Sequence, residues 1–247
     1  SLQVCERSAD DFDLTILHEC EKLKVLDLTG LGLRLDQAQM LSGFIAGCTE
    51  LHTLLLGYNI LHDRGVEIMS EAIGKLHKMN VISVSGNQIS HVGVNHLFAS
   101  LDKAPIAASL SKLDLSWNKF GGEGGKVLGR SLASLTNLSV LILTGCSLKD
   151  DSLSLITSTL PTRVTMLGLG YNELTDRGMP AIAGCRHLHE LQLENNQVGP
   201  EGFHQLISSS SIRSVNFMWN KIAGAHVKKL GEALACCSLE GPQLPRP

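Results

Sequence analysis

A pattern with apolar residues, mostly leucine, at positions 1, 4 and 6, asparagine at position 9 and an apolar residue at position 11 recurs eight times in this 247-residue chain. The copies read "LKVLDLTGLGL" from 23, "LHTLLLGYNIL" from 51, "MNVISVSGNQI" from 79, "LSKLDLSWNKF" from 110, "LSVLILTGCSL" from 138, "VTMLGLGYNEL" from 164, "LHELQLENNQV" from 188 and "IRSVNFMWNKI" from 212. Successive starts differ by 28, 28, 31, 28, 26, 24 and 24 residues. Self-similarity at such a period is the mark of a stacked array, in which each unit buries its apolar face only against its neighbours.

Within each copy the fourth and sixth positions alternate with polar neighbours, as a short strand with one buried face requires. The ninth position is Asn59, Asn87, Asn118, Asn172, Asn196 and Asn220. A side-chain amide there both donates and accepts, so it can satisfy backbone groups where the chain leaves the strand, and stacked copies would form a ladder. Cys146 takes the place in the fifth copy, and Leu31 breaks the rule in the first, which suggests an irregular edge.

A polar turn and then a helical segment follow, as in residues 62–76, where Val66, Met69 and Ile73 give the spacing of one buried helix face. Leu128 and Leu132 do the same further on. Asp63, Asp150 and Asp176 precede apolar runs and are expected to N-cap their own helices.

The period near 28, the Asn or Cys at position 9 and the following helix resemble a leucine-rich repeat of the ribonuclease-inhibitor-like kind, over residues 23–222. That resemblance implies an α/β fold: a curved horseshoe-shaped solenoid with parallel strands on the concave face and helices on the convex face. The expected organisation is a capping or partial-repeat helix at 1–22 with no strand before it, eight repeats over 23–224, a closing helix at 225–240 and a disordered tail at 241–247. The 24-residue copies leave room for little helix. "TDRGMPAIAGCRHLHELQL" from 175 also resembles the cysteine-containing repeats found behind F-box motifs, and no F-box is read before it.

Formal charge is -3, so nothing suggests a sequence-independent grip on nucleic acid, and no nucleic-acid partner is expected. No apolar run approaches a membrane span. Seven cysteines form no compact framework; Cys20, Cys48 and Cys185 each lie three residues before a strand-opening leucine, which points to buried thiols and a reducing, cytoplasmic setting. Asn137-Leu138-Ser139 is a formal glycosylation sequon, expected to be inaccessible because Leu138 opens a buried strand.

No catalytic, cofactor or metal constellation is found. His91 and His96, and His187 and His189, lack the i, i+4 spacing of a zinc pair. "GGEGGK" from 121 lacks the hydroxyl residue of a phosphate loop, because Val127 follows the lysine, and reads as the turn into a repeat helix.

What remains is the concave face, where positions 2, 3, 5, 7 and 8 are expected to meet solvent. Position 8 holds Tyr58, Trp117, Tyr171 and Trp219, four of the ten aromatic residues. Solvent-facing Trp and Tyr are typical interface anchors, although a single such ring can equally pack over its neighbours. The last strands add Glu190, Gln192, Glu194 and Asn195, then Arg213, Asn216 and Met218, while Ser83, Ser85, Thr144, Gly168 and Gly170 would form a small-residue floor. These features point to a non-catalytic scaffold that binds a protein, of basic character, through the concave face. The family resemblance leaves other readings open: a sensing or adaptor fragment of an immune-type receptor or F-box-like ubiquitin ligase, a Ran GTPase-activating-like regulator, or a pathogen effector.

Overall fold

In a computed structural model, the structure describes residues 2–3, 22–102, 105–208 and 211–222. The expected closing helix and tail lie outside the described residues, as do Cys5, Cys20, Cys236, Cys237 and most of the expected N-terminal helix.

Among the described residues, nine short strands form one parallel sheet in strict chain order. They are β1 (Leu2–Gln3), β2 (Val25–Asp27), β3 (Thr53–Leu55), β4 (Val81–Ser83), β5 (Lys112–Asp114), β6 (Val140–Ile142), β7 (Met166–Gly168), β8 (Glu190–Gln192) and β9 (Ser214–Asn216). The register places every fourth-position residue in one row: Leu26, Leu54, Ile82, Leu113, Leu141, Leu167, Leu191 and Val215. Leu2 joins that row by pairing with Leu26. A strand therefore does precede the first full copy, contrary to the reading of residues 1–22 as helix alone; two residues give too little pattern to be read as a strand.

Seven helices alternate with these strands among the described residues: α1 (Leu35–Ile45), α2 (His62–Ile73), α3 (His91–Leu101), α4 (Gly121–Ser131), α5 (Asp150–Thr159), α6 (Met179–Ala183) and α7 (Pro200–Ile207). Their apolar stripes meet the fourth- and sixth-position side chains in one continuous core, in which Val66, Met69, Ile73, Leu128 and Leu132 are all buried. The thirty-one-residue copy fits its extra length into a 3-10 turn, Pro105–Ala108. The 24-residue copies shorten their helices: α6 has five residues behind a 3-10 turn at Asp176–Gly178, and α7 has eight.

"GGEGGK" forms the first turns of α4 itself, not a turn leading into it. A Cβ on Gly124 would strike Phe120 at the start of the same helix, and one on Gly125 would strike Ser152 of α5, so Gly125 lets the neighbouring helix approach closely.

The asparagine ladder is present. Asn118 accepts through Oδ1 from the backbone N–H of Asn87 (2.9 Å) and Ile89 (3.1 Å), and donates through Nδ2 to the carbonyls of Val84 (2.9 Å) and Leu115 (3.0 Å). Asn172 repeats this on Cys146, Leu148, Leu143 and Leu169. Each amide thus ties its own copy to the one before, satisfying buried backbone groups that the strand-to-loop bend leaves unpaired. Cys146 offers only a weak thiol donor, to Leu115 O at 3.4 Å and Thr144 O at 3.6 Å.

The aspartates do not cap their own helices. Asp63 lies in the first turn of α2, but its carboxylate accepts from Ser90 N (2.7 Å), Ser90 Oγ (2.6 Å) and Gly93 N (3.0 Å), at the start of α3 in the next copy. Asp150 accepts from Thr175 N and Oγ1, and Asp176 from Gly199 N. In a stacked array the neighbour's unpaired N–H groups lie beside the first helical turn, a relationship that one copy's sequence cannot disclose.

Candidate protein-interaction surface

Position 8 has one backbone conformation in all eight copies. Gly30, Tyr58, Gly86, Trp117, Gly145, Tyr171, Asn195 and Trp219 have φ between 53° and 75°. Hydrogen bonding explains the uniformity: the position-8 N–H donates to the position-7 carbonyl of the next copy, as in Tyr58 to Ser85 (2.7 Å), Trp117 to Thr144 (2.7 Å) and Tyr171 to Glu194 (2.7 Å). The following asparagine can then turn inward. Glycine and asparagine tolerate this left-handed region, whereas each bulky residue in it costs about 1–3 kcal/mol.

The four aromatic side chains nevertheless remain open to solvent, with exposures of 59% for Tyr58, 44% for Trp117, 38% for Tyr171 and 66% for Trp219. They lean along the array. Tyr58 covers Gly86, where an added Cβ would come within 2.8 Å of the ring, and Trp117 covers Gly145, where the distance would be 2.5 Å. Trp117 thereby reaches Tyr171, with ring centroids 5.1 Å apart and planes tilted by 52°. Tyr58, Trp117 and Tyr171 thus each pack on a neighbour, and all four rings keep an exposed face.

The structure divides the remaining expected residues between the two ends of the strands. Glu194, Asn195 and Met218 gather beside Tyr171 and Trp219: the Glu194 carboxylate lies over Gly170 and accepts from Asn216 Nδ2 (3.1 Å), and Asn195 N donates to Met218 O (2.9 Å). Glu190 opens β8 and Arg213 precedes β9, both exposed but at the opposite end from the aromatic column. Gln192 stands between, against Gly168.

The small-residue floor is open only in part, with Ser83 and Thr144 half-buried. Ser85, Gly168 and Gly170 are buried, the last two beneath Ile142, Gln192 and Glu194. Position 7 is likewise buried at Gly57 and Ser116, so it does not uniformly face solvent. Small side chains here are covered by longer neighbours leaning across the sheet.

An apolar strip that was not among the residues expected to bind also crosses the sheet. Val25, Val81, Val140 and Met166 at position 3, with Leu55 and Ile142 at position 5, are half-buried on the sheet face opposite the helices. The third letters of the copies carried that signal.

Elsewhere, Asn137 is exposed, contrary to the expected inaccessibility; only Leu138 is buried, and Asn137 Nδ2 donates to Ala108 O. Cys48, Cys146 and Cys185 are buried thiols. Burial raises the pKa of both Cys146 and Cys185 above the ordinary thiol value, which favours the protonated form. Burial, and secondarily His189, lowers the pKa of His187. Among the described residues no group of three or more His, Cys, Asp or Glu could hold a metal ion, and no helix is long and apolar enough to cross a membrane.

The sequence model of the Leucine Rich repeat family matches residues 107–129 and 184–203. NACHT, LRR and PYD domains-containing protein 13 of Homo sapiens is 29% identical over 90% of this chain, which spans 22% of that relative. Ribonuclease inhibitor of Sus scrofa is 28% identical over 76% of this chain, which spans 49% of it. In three dimensions an internalin from Listeria monocytogenes superposes with a TM-score of 0.61 at 19% identity, covering 95% of this chain and 65% of its own, a likeness of fold. Repeats of this family build protein-interaction scaffolds in general. With one copy per strand and a helix behind each fully described repeat, the chain folds as a leucine-rich repeat solenoid, and its repeats are similar to those of ribonuclease inhibitor.

Proposed function

We propose that the chain is a non-catalytic scaffold that holds a partner protein on its strand-lined concave face, anchored by the position-8 column. One observation carries the reading: four aromatic rings are kept half-exposed in a left-handed conformation that other copies fill with glycine or asparagine. Strained conformations persist where surrounding structure enforces them and concentrate at ligand-holding sites. The open sheet supports the reading, because parallel sheets are normally covered on both faces and this one leaves the Val25–Met166 strip half-exposed. The backbone hydrogen bonds hold the anchors before binding, so little ordering entropy is lost. Glu194 beside Tyr171 favours a partner with a basic group at that point.

Affinity capture from a cytosolic extract tests this, comparing the parent with a Trp117→Gly, Tyr171→Gly, Trp219→Gly triple variant of matched melting temperature. A protein retained by the parent and lost by the variant is the expected result; equal capture removes the column from consideration.

A second reading is that the chain is the ligand-sensing segment of a longer receptor. The likeness to the NACHT, LRR and PYD domains-containing protein, of which it spans 22%, favours it. Sequencing the complete transcript for a NACHT-like region decides it.

A further inference from the structure

β9 leaves an unfilled edge. In the first seven copies the position-6 N–H donates to the position-5 carbonyl of the next copy, from Leu28 to Leu55 (2.9 Å) through Leu193 to Asn216 (2.8 Å). The position-8 N–H donates in the same way to the position-7 carbonyl. In the eighth copy Phe217 N and Trp219 N have no partner among the described residues. The side chains report the same opening: positions 4 and 6 of the first seven copies are at most 2% exposed, whereas Val215 and Phe217 are only half-buried. Such an edge is a template for one more strand.

The seven junctions between copies define what that strand must offer. In each, the N–H groups of positions 2 and 3 donate to the position-2 carbonyl of the copy before, as His189 and Glu190 do to Thr165 (2.8 and 2.9 Å). Parallel pairing adds the N–H of position 5. Positions 6, 8 and 9 pass their N–H groups forward instead, and by the alternation of a strand so does position 4. The position-7 N–H, where it is bonded, stays within its own copy: Thr29 to Asp27, Ser116 to Asp114 and Met218 to Asn216. A strand docked on β9 therefore needs N–H groups at positions 2, 3 and 5 and apolar side chains at 1, 4 and 6. It needs no N–H at 4, 7 or 9.

We propose that the open edge of β9 is the docking site for residues 239–245 of this chain, "LEGPQLP", which lie outside the described residues. Leu239 stands 27 residues after Ile212, within the 24–31 residue spacing of the other copies. Cys236 precedes it by three, as Cys48 and Cys185 precede Leu51 and Leu188. In that register Glu240, Gly241 and Gln243 supply the three N–H groups, and Leu239, Pro242 and Leu244 supply the apolar side chains that meet Ile212, Val215 and Phe217. The carbonyls of Gln243 and Pro245 receive the N–H groups of Phe217 and Trp219. Pro242, Pro245 and Pro247 fall at positions 4, 7 and 9, so they withhold only N–H groups that the junction does not use. Sliding the segment by one residue either way sets Pro242 at position 3 or 5, where an N–H is required, which fixes the register. Gly241 and Leu244 each precede a proline and are driven to extended backbone, as a strand requires. With no N–H to pass forward at position 4, the docked segment blunts the edge that β9 leaves open.

Amide hydrogen exchange in the full chain, resolved residue by residue, tests the proposal. The N–H groups of Phe217 and Trp219 are expected to exchange at least about tenfold slower in the parent than in Leu244→Asp, which sets a charge against the core at position 6. Gln243→Asp keeps the protection, because position 5 faces away from the core and already holds Asp27 and Asp114 in other copies. Leu56 and Tyr58, six copies away, keep their exchange rates in all three chains, which separates loss of docking from loss of the fold. Free exchange at Phe217 and Trp219 in the parent, or protection that Leu244→Asp leaves unchanged, overturns the proposal. Protection that grows with protein concentration also overturns it, since a second copy of the chain then fills the edge.

Discussion

Trp117 reaches over Gly145 to Tyr171 two copies away, and the two rings meet at 5.1 Å between centroids. The contact exists because the intervening copy has no side chain at position 8. Gly145→Ala is expected to destabilise the fold by about 1–3 kcal/mol, since it combines a left-handed φ with a clash against the Trp117 ring. Gly30, with φ of 75° and open space around it, isolates the backbone part: Gly30→Ala should cost about 1 kcal/mol. Thermal melts of the two variants, with tryptophan emission recorded, separate the contributions; equal losses and unchanged emission would show that the ring is not held over Gly145.

Asp63 caps the next copy's helix. Asp63→Ala should therefore cost about 1–2 kcal/mol and speed amide exchange around Ser90 and Gly93 at the start of α3. Exchange that rises only at the start of α2 would contradict the inter-copy cap.

Removal of the ladder amide at Asn118 takes the acceptor from the buried N–H groups of Asn87 and Ile89 and one donor from the carbonyls of Val84, which keeps Asn87 Nδ2, and Leu115, which keeps the weak Cys146 thiol. Asn118→Ala is expected to cost about 2–4 kcal/mol in chemical denaturation. A loss within experimental error would mean that water replaces the amide.

His187 has a lowered pKa, from burial first and His189 second, and its Nε2 is buried without a partner among the described residues. The folded state thus binds its proton less readily than the unfolded state does. Its contribution to stability is fully present above about pH 6.5 and is lost as pH falls through the depressed folded value. His187→Leu should flatten that part of the stability profile in denaturant titrations run on both sides of about pH 6.5. A variant profile parallel to the parent's would place the acid sensitivity elsewhere.

Much of this protein is legible one copy at a time. Leucines at positions 1, 4 and 6 specify a strand with one buried face, asparagine at 9 specifies the bend, and 24-residue spacing foretells the short α6 and α7, because each is a local consequence of chain geometry. What only the tertiary structure decided lies between copies. The carboxylate of Asp63 serves Ser90, 27 residues on, and Gly170 is covered by Glu194 from the adjacent strand. The left-handed backbone at Trp117 follows from a hydrogen bond to Thr144 in the neighbouring copy. These relationships depend on how far one repeat is translated and rotated onto the next, and packing of the whole core sets that displacement, not the residues of any single repeat.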